Sequence, residues 1–274
     1  MYKLIIGFLV LFLLASCTEN NTDSGTKKTP SISNIFVPTI DYTIVDRLPH
    51  DITSFTEGLV FNNQQLFEST GSPSNLPETK SMFGVVDLKT GKINPKVELD
   101  RSKYFGEGIV FFNDKIYQLT YTNQIGFIYD SKTYKKLGQF NFKNKEGWGL
   151  TTDGTFLIMS DGTNNLTYLD PNTLKVVKTI SVNNAGYAED YLNELEYIRG
   201  YIYANIWTKN YLVKIDPQNG KVIGTINLSP LTEEAKIKNP TADVLNGIAY
   251  NSTSDKIYVT GKLWANIFQI DFPH

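Results

Sequence analysis

The chain has 274 residues, 41% of them hydrophobic, with 26 Lys+Arg against 28 Asp+Glu and a net charge of −2. That balance excludes a general polyanion binder, which needs a surplus of phosphate-neutralising cations, and the apolar content excludes wholesale disorder. One cysteine and two histidines, His50 and His274, leave no disulfide framework and too few ligands for a Cys- or His-based zinc site.

In chain order, Lys3 precedes an apolar run from Leu4 to Ala15, too short for a membrane span and suited to the core of a signal peptide. It ends in Leu14-Ala15-Ser16-Cys17, a sequence that resembles a bacterial lipobox. The resemblance implies cleavage before Cys17 and lipid on the new N-terminus, which anchors stably because more than one acyl chain is buried. Residues 18–34 are polar and aperiodic, as in a flexible tether. The expected division is therefore a signal peptide over 1–16, lipidated Cys17 with its tether over 17–39, and a folded body over 40–274 in the cell envelope.

The body repeats. Five segments open alike: Glu57-Gly-Leu-Val-Phe61, Glu107-Gly-Ile-Val-Phe111, Glu146-Gly-Trp-Gly-Leu150, Glu194-Leu-Glu-Tyr-Ile198 and Asn246-Gly-Ile-Ala-Tyr250. An alternating strand follows each opener: Gln65–Ser69, Lys115–Leu119, Thr155–Met159, Tyr201–Asn205 and Lys256–Thr260. A third strand then runs into an Asp-led turn, as at Asp87, Asp130, Asp170 and Asp216, where the side chain can bond its own backbone. A fourth follows, for example Lys175–Ile180 and Lys221–Ile226. Short alternating strands at this interval predict an all-β, five-bladed β-propeller of four-stranded blades; a β-sandwich would explain the strands but not the fivefold repeat. The last repeat lacks a fourth strand, and Tyr42–Leu48 is predicted to supply it beside Phe268–Ile270, closing the ring.

First strands line a propeller's axis, so the openers Glu57, Glu107, Glu146, Glu194 and Asn246 are expected to meet at one mouth, four carboxylates in one pit. Such crowding raises carboxyl pKa values or attracts a cation, and a carboxyl protonated near neutral pH is a useful proton shuttle. These glutamates could instead bond neighbouring backbone N–H groups and merely fasten blades. Trp148, Trp207, Tyr121 and Trp264, near strand ends, are candidates for an aromatic wall, and Asn193 and Lys262 for its polar contacts. No G-x-S-x-G elbow, P-loop, dinucleotide fingerprint or EF-hand is present.

The phrases Phe55-Thr-Glu-Gly-Leu, Phe105-Gly-Glu-Gly, Glu146-Gly-Trp-Gly-Leu-Thr, Leu157-Ile-Met-Ser-Asp-Gly162, Leu192-Asn-Glu-Leu-Glu-Tyr197, Asp243-Val-Leu-Asn-Gly-Ile-Ala-Tyr250 and Thr260-Gly-Lys-Leu-Trp264 together resemble the glutamine cyclotransferase family. These are the plant-type and bacterial glutaminyl cyclases, five-bladed propellers unrelated in fold to the zinc-dependent animal type. The resemblance implies conversion of N-terminal glutamine to pyroglutamate with release of ammonia, without a metal or other cofactor, although an axial structural cation is not excluded. It implies Glu107 as catalytic acid/base and Phe55, Trp148, Asn193, Trp207 and Lys262 as pocket residues. Lys262 or Asn193 could stabilise the oxyanion. Two positions depart from the plant-like pattern: Glu57 replaces Gln, and Tyr121 replaces Trp; both are kept as substrate-binding candidates. Expected partners are peptides or proteins with N-terminal Gln and a membrane reached by the lipid anchor, with no nucleic acid, and a monomer because a closed ring has no edge demanding a partner. Two other readings stay open: a non-catalytic propeller binding amine-bearing peptides, and a hydrolase or lactonase using an axial metal.

Overall fold

A computed structural model describes residues 36–274. The signal peptide, Cys17 and most of the expected tether lie outside the described residues. Five four-stranded antiparallel sheets follow one another: β2(Phe55–Asn62) to β5(Ile93–Glu98), β6(Gly106–Phe112) to β9(Lys136–Asn141), β10(Leu150–Thr152) to β13(Val176–Ser181), β16(Leu192–Ile198) to β19(Val222–Asn227), and β20(Leu245–Asn251), β21(Lys256–Gly261), β22(Asn266–Asp271) with β1(Thr43–Pro49). Each is one blade of the expected five-bladed propeller. The closing strand is where the sequence places it: β1 pairs antiparallel with β22, with Thr43 opposite Asp271 and Leu48 opposite Ile267.

The core is shared between blades rather than held within them. Five apolar clusters occur, one for each pair of neighbouring blades. Consecutive residues of one strand feed different clusters. Leu59 packs toward the fifth blade and Val60 toward the second; Ile109 packs toward the first and Val110 toward the third. This is the period of two acting on a sheet with both faces covered, and it explains strands that read as apolar runs such as Gly-Ile-Val-Phe. The Asp-led turns form as read from the sequence. Asp87 Oδ1 accepts the Lys89 N–H at 2.9 Å, Asp130 Oδ1 the Thr133 N–H at 2.7 Å, and Asp170 Oδ1 the Thr173 N–H at 2.8 Å.

Two features were not legible in the repeat. A two-stranded hairpin, β14(Asn183–Asn184) with β15(Tyr187–Ala188), precedes the fourth blade, and a helix, α1(Ser229–Lys238), joins the fourth to the fifth. The helix carries Pro230 in its first turn and buries only Leu231, Thr232 and Ala235, too narrow a stripe to announce itself as amphipathic. The third blade is also shorter than expected: its second strand covers Leu157–Met159 rather than Thr155–Met159.

Candidate active site at the mouth of the propeller

Strand pairing defines which residues are equivalent. Leu59 lies opposite Glu68, Ile109 opposite Gln118, Leu150 opposite Met159, Leu195 opposite Ala204 and Ile248 opposite Val259. Two positions before these first-strand residues stand Glu57, Glu107, Trp148, Asn193 and Asn246. The expected ring of openers is therefore corrected in two blades. Trp148 takes the place assigned to Glu146, and Asn193 the place assigned to Glu194. In four blades the pairing slips at this point, between Thr56 and Gly58, Gly106 and Ile109, Leu192 and Leu195, and Leu245 and Ile248. Such a bulge re-aims the side chain it carries, here toward the axis.

The pairing also defines a second ring at the end of each second strand: Gly71, Tyr121, Gly162, Trp207 and Lys262. Backbone bonds repeat there. The N–H of Tyr121 donates to Phe105 O at 3.1 Å, that of Trp207 to Tyr191 O at 2.9 Å, and that of Lys262 to Val244 O at 3.0 Å. Glycine at two of the five places makes room for aromatic rings: a Cβ on Gly71 would meet the Phe105 ring, and one on Gly162 (φ +78°) the Trp148 indole. Trp264 is not part of this wall. It is fully buried between blades four and five, its Nε1–H donating to Asp243 O at 2.9 Å, because Lys262 and not Trp264 occupies the equivalent position.

Four residues of each ring, all but Asn246 and Gly71, line one cavity of about 880 Å³. Phe55, Glu57, Glu107, Tyr121, Trp148, Asn193, Trp207 and Lys262, the catalytic and substrate-binding candidates, line it together, while Trp264, Glu194 and Asn246 do not. Phe105, Glu146, Tyr191 and Asp243 line it as well. Phe105, Glu146 and Tyr191 sit two residues before Glu107, Trp148 and Asn193, as Phe55 does before Glu57.

Aromatic rings form two arcs. Phe55 meets Phe105 edge-on at 6.1 Å, and Phe105 meets Tyr121 at 5.8 Å. Trp148 meets Trp207 at 5.8 Å, and Trp207 meets Tyr191 at 5.8 Å. Between the arcs stand the carboxyls. Lys262 Nζ lies 2.6 Å from Glu57 Oε1 and 4.6 Å from the centre of the Phe55 ring. Asn246 Nδ2 donates to Glu57 Oε2 at 3.1 Å and to Thr56 O at 2.9 Å. Trp148 Nε1–H donates to Glu146 Oε2 at 2.8 Å. Burial pushes Glu57 up to about 7 even against the attraction of Lys262. Glu107 stands well above the usual carboxylate range, first through burial, then through repulsion from Glu57 and Glu146 and through its hydrogen bond to Glu57. Both carboxyls are thus pushed toward the protonated form, Glu107 with the repulsion of two acidic neighbours added to its burial. Asn193 is buried, and its Oδ1 has no hydrogen-bond partner within the protein.

Three of the four expected carboxylates meet in the cavity; Glu194 does not. The position after each ring residue is Gly58, Gly108, Gly149, Glu194 and Gly247, and the four glycines let the blades approach. Glu194 uses the room they leave, its two oxygens accepting the Leu59 N–H of blade one at 3.2 Å and the Ile248 N–H of blade five at 2.8 Å. It fastens three blades, the alternative the sequence left open. Among the described residues, no group of three or more His, Cys, Asp or Glu is placed to hold a metal ion.

A family model described as glutamine cyclotransferase matches residues 9–272. Over 229 residues, 83% of this chain and 70% of the relative, the sequence is 41% identical to a glutaminyl-peptide cyclotransferase of Arabidopsis thaliana. The fold superposes on the crystal structure of the Myxococcus xanthus glutaminyl cyclase with a TM-score of 0.78 and 33% identity, covering 86% of this chain and 98% of that one.

Proposed function

The chain belongs to the glutamine cyclotransferase family, and from that membership and the cavity we infer that it cyclises N-terminal glutaminyl residues of peptides or proteins to pyroglutamate, releasing ammonia, with Glu107 as its acid/base. The observation that carries the residue assignment is Glu107 buried in an aromatic-walled cavity that it shares with Glu57 and Glu146, a setting that holds its carboxyl well above the usual range.

The reaction needs no external nucleophile. The substrate's α-amine attacks its own γ-carboxamide carbon, so the protein has to fold the residue into attacking geometry and move protons. The α-ammonium gives one proton to the carboxylate oxygen of the Glu57–Glu107 pair, leaving a free amine. Attack forms the five-membered ring and places negative charge on the former carbonyl oxygen. The new ring nitrogen then passes its extra proton to the Glu57–Glu107 pair while Glu107 protonates the departing amide nitrogen, the carbonyl re-forms and the C–N bond breaks. Ammonia leaves with the proton first taken up, as ammonium, and the pair returns to its singly protonated state. Charge and atoms balance: a cationic substrate yields neutral pyroglutamyl peptide and ammonium.

Lys262 is committed to Glu57 at 2.6 Å, so its charge sets the state of the carboxyl pair rather than reaching the oxyanion. The unpartnered Asn193 Oδ1 can accept a hydrogen bond from the substrate's carboxamide NH2, while any support Asn193 gives the oxyanion has to come from its Nδ2–H2 group. Phe55, Trp148 and Trp207 enclose the side chain, and Tyr121 closes the wall beside Glu146. The body is held at a membrane by lipidated Cys17, a reading that rests on the Leu14–Cys17 sequence, and acts as a monomer.

The test is ammonia release from a Gln-initiated dipeptide. Wild type should release ammonia and Glu107→Gln should not. Saturable binding of the peptide without ammonia would instead favour the binding propeller, and inhibition by chelators the metal hydrolase. Replacing Cys17 with Ser should move the protein from the membrane to the soluble fraction; unchanged membrane retention would refute the anchor.

A further inference from the structure

The reaction leaves one buried pair of titratable side chains unused. His50 follows β1, and Glu68 lies on β3(Gln65–Gly71); neither side chain is exposed. His50 Nδ1 is 2.8 Å from Trp264 O, an atom that can only accept, so Nδ1 carries a hydrogen. Nε2 faces the Glu68 carboxylate, 3.1 Å from Oε1 and 3.0 Å from Oε2. Oε1 also accepts the Thr56 hydroxyl at 2.8 Å.

The ends of this network are what give it a use. Thr56 immediately precedes Glu57, and Trp264 closes the short turn that carries Lys262. The same turn is tied by the His50 N–H to Ala265 O at 3.0 Å and by the Leu263 N–H to Ser54 O at 2.8 Å. One imidazole–carboxylate pair therefore grips, from behind, both segments from which the 2.6 Å Glu57–Lys262 contact rises. Those segments come from opposite ends of the chain, blades one and five, and meet only where the ring closes.

We propose that His50 and Glu68 are positioning residues for the reaction inferred above, holding Thr56 and the Gly261–Trp264 turn so that Glu57 and Lys262 stay in contact in the cavity. Burying an ion pair is poor value for stability alone, since the desolvation of two charges offsets their attraction. Retaining one at the seam beneath the working carboxyls fits a geometric role. The pair is neutral in sum and adds no net charge to the cavity. Burial alone would depress His50; the charge of Glu68 and the hydrogen bond to it outweigh that and hold the imidazole above its usual value. The titratable groups facing His50 are Glu68 and Asp51; those facing Glu57 are Lys262, Glu107 and Asp243.

The proposal rests on the cyclase reading, and its test separates the two. Glu68→Ala, Glu68→Gln and Thr56→Val are compared with wild type for kcat, KM and the pH profile of ammonia release. The rate of acylation of Lys262 by a soluble amine reagent, followed by mass spectrometry against the rim lysines Lys143 and Lys145, needs no turnover. Glu68→Ala should lower kcat by an amount on the order of 10- to 100-fold with far less change in KM, because misplacement by about 1 Å carries that cost. It should also move the acid limb upward and speed acylation of Lys262. Glu68→Gln should recover most of the rate, since its amide can donate to Nε2 and its carbonyl accept from Thr56. If Glu68→Ala does not fold, Thr56→Val, which removes one hydroxyl, should show the same changes more weakly. A folded variant with wild-type kcat, acid limb and Lys262 acylation, altered only in melting temperature, would overturn the proposal. Absence of ammonia from wild type would count against the reaction, and the acylation rates would still decide the role of the pair.

Discussion

Replacing Lys262 with Met tests how the cavity sets its proton balance. Methionine keeps the length and most of the contact with Phe55 but removes the charge 2.6 Å from Glu57 Oε1. Coulomb's law at an effective dielectric near 20 gives roughly 6 kcal/mol for unit charges at that separation, an upper bound before either group's desolvation is subtracted. Loss of an opposite charge at contact typically changes a carboxyl pKa by about 1–3 units. Glu57 stands at about 7 with the lysine in place, so in the variant its carboxyl belongs well above that value. The direction follows from the reaction. Below the acid limb the Glu57–Glu107 pair carries two protons and cannot take one from the α-ammonium. The variant should hold the pair doubly protonated to higher pH, and the acid limb of kcat/KM should rise by about one unit or more. At a pH below both limbs that is at least a roughly tenfold loss, recovered as pH increases. Ammonia release from Gln-Ala between pH 5 and 9 measures it. A uniform loss at every pH, with the limb unmoved, would show that Lys262 acts only by packing and would refute the electrostatic argument.

Glu57→Gln perturbs the same pair with the opposite sign: removing the repelling carboxylate and leaving Lys262 to face Glu107 should move the acid limb down, and an upward shift would contradict the pairing. Trp207→Ala should raise KM for Gln-peptides by about tenfold or more through loss of the indole beside Trp148, with a smaller change in kcat; steady-state kinetics distinguish the two. Away from the cavity, burial pushes Glu196 up to about 8 while it accepts the Tyr250 N–H at 2.8 Å. A carboxyl raised from 4.5 in the unfolded chain contributes stability that is full below pH 4.5 and lost as pH rises toward 8, as much as roughly 5 kcal/mol. Denaturant melts of Glu196→Gln should therefore be less pH-dependent than wild type over that window, and more stable at pH 8.5; equal slopes would refute it.

The sequence by itself determined the repeat, the blade count and the closing strand, because period-two alternation and Asp-led turns are local and recur five times. It also named the cavity residues by phrase, and the eight within the described residues converge. What it misjudged was register. Glu146 and Glu194 carry the same letter as Glu57 and Glu107, yet strand pairing moves them two and one positions off the ring. A bulge costs one residue in the sequence and turns a side chain to the other face, and only the hydrogen-bonded partner strand reveals it. Trp264 fails for a related reason: the turn after β21 brings Lys262, not the indole, to the cavity.

Tertiary structure alone decided the rest. The Glu57–Lys262 contact and the His50–Glu68 grip join residues 205 and 18 positions apart, and the crowding that raises Glu107 comes from acids on other strands and loops. They depend on how far burial outweighs charge at one spot, and no spacing in a single chain encodes that. The composition showed few histidines and a near-balance of charge. The fold put one of those histidines at the seam of the ring and five of the acids, Glu57, Glu107, Glu146, Asp161 and Asp243, around one cavity.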